Sequence, residues 1–539
     1  DGAQYTHPDL NDNYNTATDY DSQTLTPDGA PRTSSDNHGT TTLGTAAGEG
    51  DNALGISGVA FNAEATMLRM NFGGSVTDAT IADLFQHGEA SDVLSNSWGF
   101  SGYLGDDFGG FFALTGDALE HAAAFGRGGL GTNIVFAAGN SRSGGDNTNY
   151  HSFQNSIYTI TVGATDQNGN IASFSTPGAS VLVSAPGVDI VTTDRTGSSG
   201  YVNGDYVVAS GTSYSAPIVS GVVALMLEAN PALGYRDVQE ILAYSSKLTG
   251  GTSSYAYNDA GNWNGGGLHF SNDYGFGLVD AHAAVRLAES WLTGDGTVGS
   301  MEMVNTGIQA VNASIPNNNS GGISRSINLS SNLDIDRVEV DLNIAHTAIG
   351  DLRVVLTSPD GTSSVVFDRP GFTGGSFSGS SQDNVNFTLS SNAFWGEQGN
   401  GIWTLTVYDL KGTFGGTGTW QNWAVRLYGD TDSANDTYVY TNEFANFGGS
   451  AARKTLTDTS GVDLLNLAAI TSNTQLNLNG GTSSSVAGNT LSIAGGTQIE
   501  NAWTGDGNDT VLGNGAANII HLGRGNDTVT GGGGNDSLH

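Results

Sequence analysis

A repeat near the C-terminal end leaves this chain the fewest choices of fold. Gly505-Asp506-Gly507-Asn508-Asp509-Thr510-Val511-Leu512, Gly523-Arg524-Gly525-Asn526-Asp527-Thr528-Val529 and Gly532-Gly533-Gly534-Asn535-Asp536-Ser537-Leu538 share one pattern of glycines, a carboxylate and an apolar residue. Asp509, Asp527 and Asp536 fall on one nine-residue ladder, with Asn518 on the missing rung. Glycine permits the tight turn, the single apolar residue points inward, and the aspartates offer the hard oxygen ligands that Ca2+ prefers. Such a unit buries its apolar residue only by coiling on its neighbours, so a Ca2+-binding parallel β-roll is expected. A disordered Gly/Asn-rich segment would have no need of aspartates held in phase.

The remainder divides into further units. At 539 residues the chain exceeds what one hydrophobic core supports, and about two to four domains are expected. Eighty glycines against ten prolines describe a turn-rich chain. Fifty-three acidic residues face seventeen basic ones, giving a formal net charge of −36. That charge argues against nucleic acid or anionic membrane as partner and favours divalent cations. The absence of cysteine removes disulfides, thiolate catalysis and Cys-ligated zinc. No run of about 18 apolar residues suggests a transmembrane segment. The first residues lack both Met and a signal-peptide pattern, as expected if the encoded start lies elsewhere.

The chemistry centres on Ser210-Gly211-Thr212-Ser213-Tyr214-Ser215-Ala216-Pro217, which runs directly into the apolar segment 218–227. A serine among small residues at the start of a buried helix suits a nucleophile, because first-turn N–H groups have no intrahelical partner and can face an oxyanion. The same pattern also suits a plain Ser/Thr helix cap. His38, in Asn37-His38-Gly39-Thr40, sits at a loop-to-helix junction. Residues 92–99 and Asn133-Ile134-Val135-Phe136-Ala137-Ala138-Gly139-Asn140 read as buried strands ending in turns, with a helical pattern over 117–125 between them. An α/β domain with a parallel sheet follows, with functional groups on loops at the strands' carboxyl ends.

Together, Asn37-His38-Gly39-Thr40, Ser97-Trp98-Gly99, Ala138-Gly139-Asn140 and Gly211-Thr212-Ser213-Tyr214-Ser215-Ala216-Pro217 resemble, in order and spacing, the subtilisin-like serine proteases (peptidase S8), and in particular their kexin and furin branch. Tyr274-Gly275-Phe276-Gly277-Leu278-Val279-Asp280-Ala281 resembles the closing segment of that catalytic domain. The resemblance implies Ser213 as nucleophile, His38 as general base and Asn140 as side-chain donor to the oxyanion. It implies that Ser97, Trp98 and Gly99 pair by backbone with extended substrate. Its catalytic aspartate would stand immediately before Asp1, so the sequence is expected to begin inside that motif.

Cation sites follow from the same resemblance. Asp9 and Asn52, with Glu49 and Leu54 nearby, resemble a structural calcium site, and Asp146 stands where a ligand of a second calcium would lie. Around that second site Phe100, Ser101, Gly102 and Thr176 replace acids, and His151 replaces a pocket aspartate. Fixed carboxylates are what a cationic side chain needs in a dry pocket, so strict arginine preference is not implied.

After a turn-rich linker the period changes to strict alternation over 337–344, the mark of a half-buried antiparallel strand, and further strands are expected at 352–357, 402–408 and 423–428. Leu356-Thr357-Ser358-Pro359-Asp360-Gly361 and Phe394-Trp395-Gly396-Glu397 make this β-sandwich resemble the P domain of kexin-like enzymes. Trp395, Trp403 and Trp423 are then expected as core or interface anchors rather than an exposed carbohydrate platform. The tail, including Asp458 to Asp463 and Ile499 to Ala502, resembles the calcium-binding RTX module of serralysin-type secreted proteases.

The expected organisation is a catalytic domain over 1–292, a P domain over 298–430 and an RTX module over 431–539 that continues beyond the last residue. The expected function is a secreted, bacterial, calcium-dependent serine endopeptidase acting on proteins or peptides and exported by a type I machinery. The alternative is a catalytically impaired secreted protein of the same build that binds calcium or adheres.

Overall fold

A computed structural model describes residues 1–72, 76–374, 379–411 and 418–539. Four parallel strands in sequence order, β1 (Val93–Asn96), β2 (Asn133–Ala137), β3 (Thr159–Thr165) and β4 (Val181–Pro186), form the sheet of the first unit. Leu94 faces Ile134, Ile134 faces Thr159 and Thr161 faces Val181. Strands β2 and β3 are buried throughout, as β-branched parallel strands covered on both faces should be. The first strand departs from expectation. It lies at the edge of these four, so Val93 and Leu94 are only half-buried and Ser95 is exposed.

Three helices carry the site. They are α1 (His38–Ala47), α2 (Thr212–Ala229) and α3 (Ala281–Ser290). Helix α2 packs across the sheet and against α1 and α3, burying Val219, Val222, Val223 and Met226. Its length and composition would suffice to cross a membrane, which the sequence reading had not anticipated, yet two thirds of it is buried inside this unit.

The second unit is a sandwich of two antiparallel sheets. Leu333–Ala345 is its central strand, pairing with Gly418–Thr431 on one side and Val385–Ser391 on the other. Trp403 and Trp423 are buried between the sheets, whereas Trp395 is buried in the core of the first unit. Burial of all three rules out an exposed aromatic platform built from them.

The tail coils as a parallel roll. Thr510 pairs with Thr528 and Ile519 with Ser537, so one full coil takes 18 residues rather than nine. The single nine-residue ladder therefore splits into two stacks on opposite sheets. Asp527 Oδ1 accepts the Asp509 N–H at 2.8 Å on one side, and Asp536 Oδ1 accepts the Asn518 N–H at 3.1 Å on the other. The roll is joined to the first unit, since Val439 and Ala469 complete its core and Arg453 lies 4.2 Å over the Phe447 ring while donating to the carbonyls of Trp263 and Gly267.

Candidate active site

His38 is the first residue of α1, where three backbone N–H groups lack intrahelical acceptors. The preceding Asn37 makes no side-chain cap. Asp1 does so instead from across the fold, accepting from His38 N–H at 3.0 Å and Gly39 N–H at 2.6 Å. A β-carbon on Gly39 would stand 2.2 Å from the Gly2 carbonyl oxygen, so only glycine allows this approach. Asp1 is therefore a positioning group for the backbone of His38, a role that sequence reasoning missed. The His38 ring lies edge-on to Tyr214 with centroids 6.2 Å apart. Burial foremost pushes its pKa below the ordinary histidine value, so the ring is neutral at physiological pH. Among the described residues no carboxylate hydrogen-bonds that ring.

Ser213 is the second residue of α2, four residues before Pro217. Proline has no N–H, which deprives the Ser213 carbonyl of its helical donor. Ser97 supplies the replacement, its hydroxyl donating to that carbonyl at 2.9 Å. The Ser-x-x-x-Pro spacing was the sequence signal for this contact. Asn140 follows Gly139, whose φ of +100° turns the chain out of β2. The Asn140 side-chain oxygen accepts from Thr212 N–H at 2.9 Å and from Thr212 Oγ1 at 3.1 Å. Because a backbone N–H can only donate, this fixes which end of the carboxamide is oxygen and leaves the NH2 as its donor end. A β-carbon on Gly211 would lie 3.5 Å from that nitrogen. The arrangement gathers a neutral imidazole, a hydroxyl at a helix start and an oriented amide donor. Such a set can accept a proton, attack a carbonyl and stabilise an oxyanion.

Trp98 turns its side chain inward. Its indole N–H donates to Asn96 Oδ1 at 3.0 Å and its ring packs edge-on to Phe136 and Phe153 at 5.3 and 5.0 Å. Trp98 is half-buried and Gly99 is exposed.

The predicted cation ligands fall into three situations. Asp9 and Glu49 are both buried and share the Asn52 amide, at 2.7 Å from Asp9 Oδ1 and 3.4 Å from Glu49 Oε2. Two buried carboxylates with no cationic side chain on them among the described residues fit a hard cation. The Asn52 side-chain oxygen, however, accepts from Leu54 N–H at 2.9 Å. In the tail, Asp509 Oδ2 is buried with no hydrogen-bond partner, and burial foremost holds that carboxyl above its usual range. Asp436, Asp458 and Asp463 add a cluster that the ladder did not reveal, with ligand atoms all within 4.8 Å. Asp463 Oδ2 is also buried without a partner, and burial, then the neighbouring Asp458 and Glu500, raise this carboxyl to about 6. Both sets fit a divalent cation.

Asp146 is different. Its Oδ1 lies 3.0 Å from His151 Nε2, and His151 Nδ1 lies 3.4 Å from Asp106 Oδ1. Burial alone would lower the His151 pKa, but the carboxylates of Asp106 and Asp146 raise it to about 10. Thr176, where an acid was expected, accepts the Ser141 N–H at 3.0 Å. With an imidazole between its two carboxylates, this donor set does not fit calcium. Asp106 thus lies at the same site.

Residues 1–277 match the Subtilase family, residues 335–427 the proprotein convertase P-domain and residues 413–538 the peptidase M10 serralysin C-terminal family. The chain is 33% identical over 443 residues to human proprotein convertase subtilisin/kexin type 4, covering 80% of this chain and 56% of the relative. It is 32% identical over 468 residues to the rat type 5 enzyme, covering 82% of this chain and 24% of that protein. The chain thus spans about half or less of the length of these relatives. A crystal structure of an Aeromonas sobria serine protease with its chaperone shares the fold, with a TM-score of 0.68 at 23% identity over 80% of this chain and 87% of that one.

Proposed function

This chain belongs to the subtilase family of serine proteases, and we propose that it is an endopeptidase that opens peptide bonds through an acyl-enzyme on Ser213. The observation that carries the reading is the Asn140 carboxamide, whose oxygen is held by two hydrogen bonds from Thr212 at the start of the Ser213 helix, so that its NH2 remains as the donor end. In the proposed sequence His38, neutral because of its burial, takes the Ser213 proton as the oxygen attacks the carbonyl. The Asn140 amide and the Ser213 N–H then hold the oxyanion, and protonated His38 returns the proton to the leaving amine. The family motif assigns the carboxylate that orients the imidazole to the position before Asp1. Extended substrate adds as a strand along the backbone of Ser97, Trp98 and Gly99.

Calcium belongs to this reading as a structural ion. Asp9, Glu49 and Asn52 would hold one ion, Asp436, Asp458 and Asp463 another, and the two stacks Asp509/Asp527 and Asn518/Asp536 the ions of the roll. When bound, it neutralises carboxylates that no side-chain cation serves. The serralysin-type tail supports export to the outside of a bacterial cell by a type I machinery.

Hydrolysis of an internally quenched peptide by the full chain tests the proposal. Ser213→Ala should lower kcat by about 10⁶-fold with the thermal midpoint unchanged, and Asn140→Ala by about 10²–10³-fold. A Ser213→Ala chain that cleaves at the wild-type rate removes the nucleophile assignment, and a calcium-saturated wild type that cleaves nothing favours the impaired binding protein.

A further inference from the structure

The group that the proposed chemistry leaves unused is His151, 4% exposed, with one ring nitrogen facing Asp106 and the other facing Asp146. Its two partners sit on different walls. Asp106 lies on the segment that follows Ser97-Trp98-Gly99, and Asp146 on the segment that follows Asn140. The other ties between these segments are neutral. The Tyr103 hydroxyl donates to the Gly144 carbonyl at 2.9 Å, and Leu104 N–H donates to the Tyr150 carbonyl at 3.0 Å. His151 itself is carried by a segment anchored from behind on the sandwich, where Asn149 donates to the Ser390 carbonyl and Asn155 to the Thr388 carbonyl, both at 2.6 Å.

Asp106 sharpens the point. It is 1% exposed, and among the described residues neither of its oxygens accepts a hydrogen bond, while the His151 ring stands 3.4 Å from Oδ1. A buried carboxylate without a counter-charge is costly, so the ring is needed where it stands. A metal ion would compete for an Asp146 oxygen already bonded to the ring and would find Thr176 in place of an acid.

We infer that His151 takes the place of a metal ion beneath the substrate cleft: held between Asp106 and Asp146, it clamps the wall after Gly99 to the wall after Asn140 and is a positioning residue for substrate. The inference rests on the protease reading only for its kinetic consequence. The clamp itself is a statement about two loops and one ion. A shift of either wall by about 1 Å misplaces the substrate backbone relative to Ser213, which can cost up to ~10²-fold in rate.

The test uses the full chain in calcium-buffered solution, with His151→Ala and His151→Asp. His151→Ala should raise KM and lower kcat/KM by up to ~10²-fold, and amide exchange over residues 100–108 and 141–147 should accelerate. His151→Asp gathers three carboxylates, so it should bind about one more Ca2+ per chain than wild type. That ion should restore slow exchange to both segments and recover activity. A metal analysis in which wild type holds an ion that His151→Ala loses would overturn the inference, as would a His151→Asp chain with no added calcium. If His151→Ala does not fold, the calcium count of His151→Asp decides alone. If Ser213→Ala remains active the protease reading fails, while the ion count and exchange data still decide the clamp.

Discussion

Two sets of buried carboxylates in this molecule are treated in opposite ways. Beneath the start of α1, Arg69 is 1% exposed and reaches Asp21 at 3.1 Å and Asp36 at 3.0 Å. Burial alone would push Asp36 up, but donors from Thr33, the Arg32 N–H and Arg69 bring it down to about 2. In the tail, Asp463 is just as buried and has the Asp436 N–H but no cation beside it, and burial with the neighbouring Asp458 and Glu500 raises it to about 6. Each chain segment buries the same functional group. What differs is whether the cation comes from the chain or must come from solution. An arginine in the fold makes the first region self-sufficient, whereas the second is complete only with an ion.

Removing the chain's own cation gives the largest expected effect. Arg69→Met takes the buried guanidinium from both Asp21 and Asp36, leaving Asp21 with Arg32 and Asp36 with neutral donors only, and should cost about 3 kcal/mol in a denaturant titration. Added calcium should not restore it, and full rescue by calcium would dissolve the distinction between the two regions.

Next comes the ion from solution. At a calcium concentration ~100 times its dissociation constant, an ion bound only by the folded tail stabilises it by about 2.7 kcal/mol. Circular dichroism of the full chain should therefore show the tail's transition move up with calcium, and Asp463→Asn should blunt that movement. A tail transition indifferent to chelator would break the comparison.

Opposite pH limbs give the third contrast. Asp36 is depressed when folded, so its stabilisation is present above the ordinary carboxylate value of about 3.9 and is lost as pH falls through about 2. Asp463 is raised, so without metal its contribution is present below about 3.9 and is lost as pH rises through about 6. Exchange protection measured in chelator as pH rises from 4 to 7 should fall in the tail and hold steady around Asp36.

The smallest effect lies where the two regions meet. On α3, Arg286 reaches Asp506 Oδ1 and His282 reaches Asp506 Oδ2, both at 2.8 Å. Asp506→Ala should cost at most about 1 kcal/mol, because His282 stands half in solvent and Asp506 keeps a fifth of its side-chain surface. A larger loss would show that calcium binding in the tail also braces the protease.

Much of this was legible in the residues. The strand Leu352–Thr357 sits where its period placed it, and the sandwich strands around it extend the expected ones by a few residues. His38 opens its helix and Ser213 begins the apolar one as read. Less legible were contacts that join distant segments. The edge position of β1 depends on which strands pair with it, and the two stacks of the roll depend on how many residues one coil consumes.

The sequence by itself determined the repeat, the order of the protease motifs, and the excess of acid over base. Those are local patterns or sums, and folding does not alter them. Only the tertiary structure decided which acids meet a cation. Asp36 gains Arg69, Asp106 and Asp146 gain His151, and Asp463 gains further carboxylates. The reason is that charge interaction depends on distance and burial in space, and neither is a property of position along the chain.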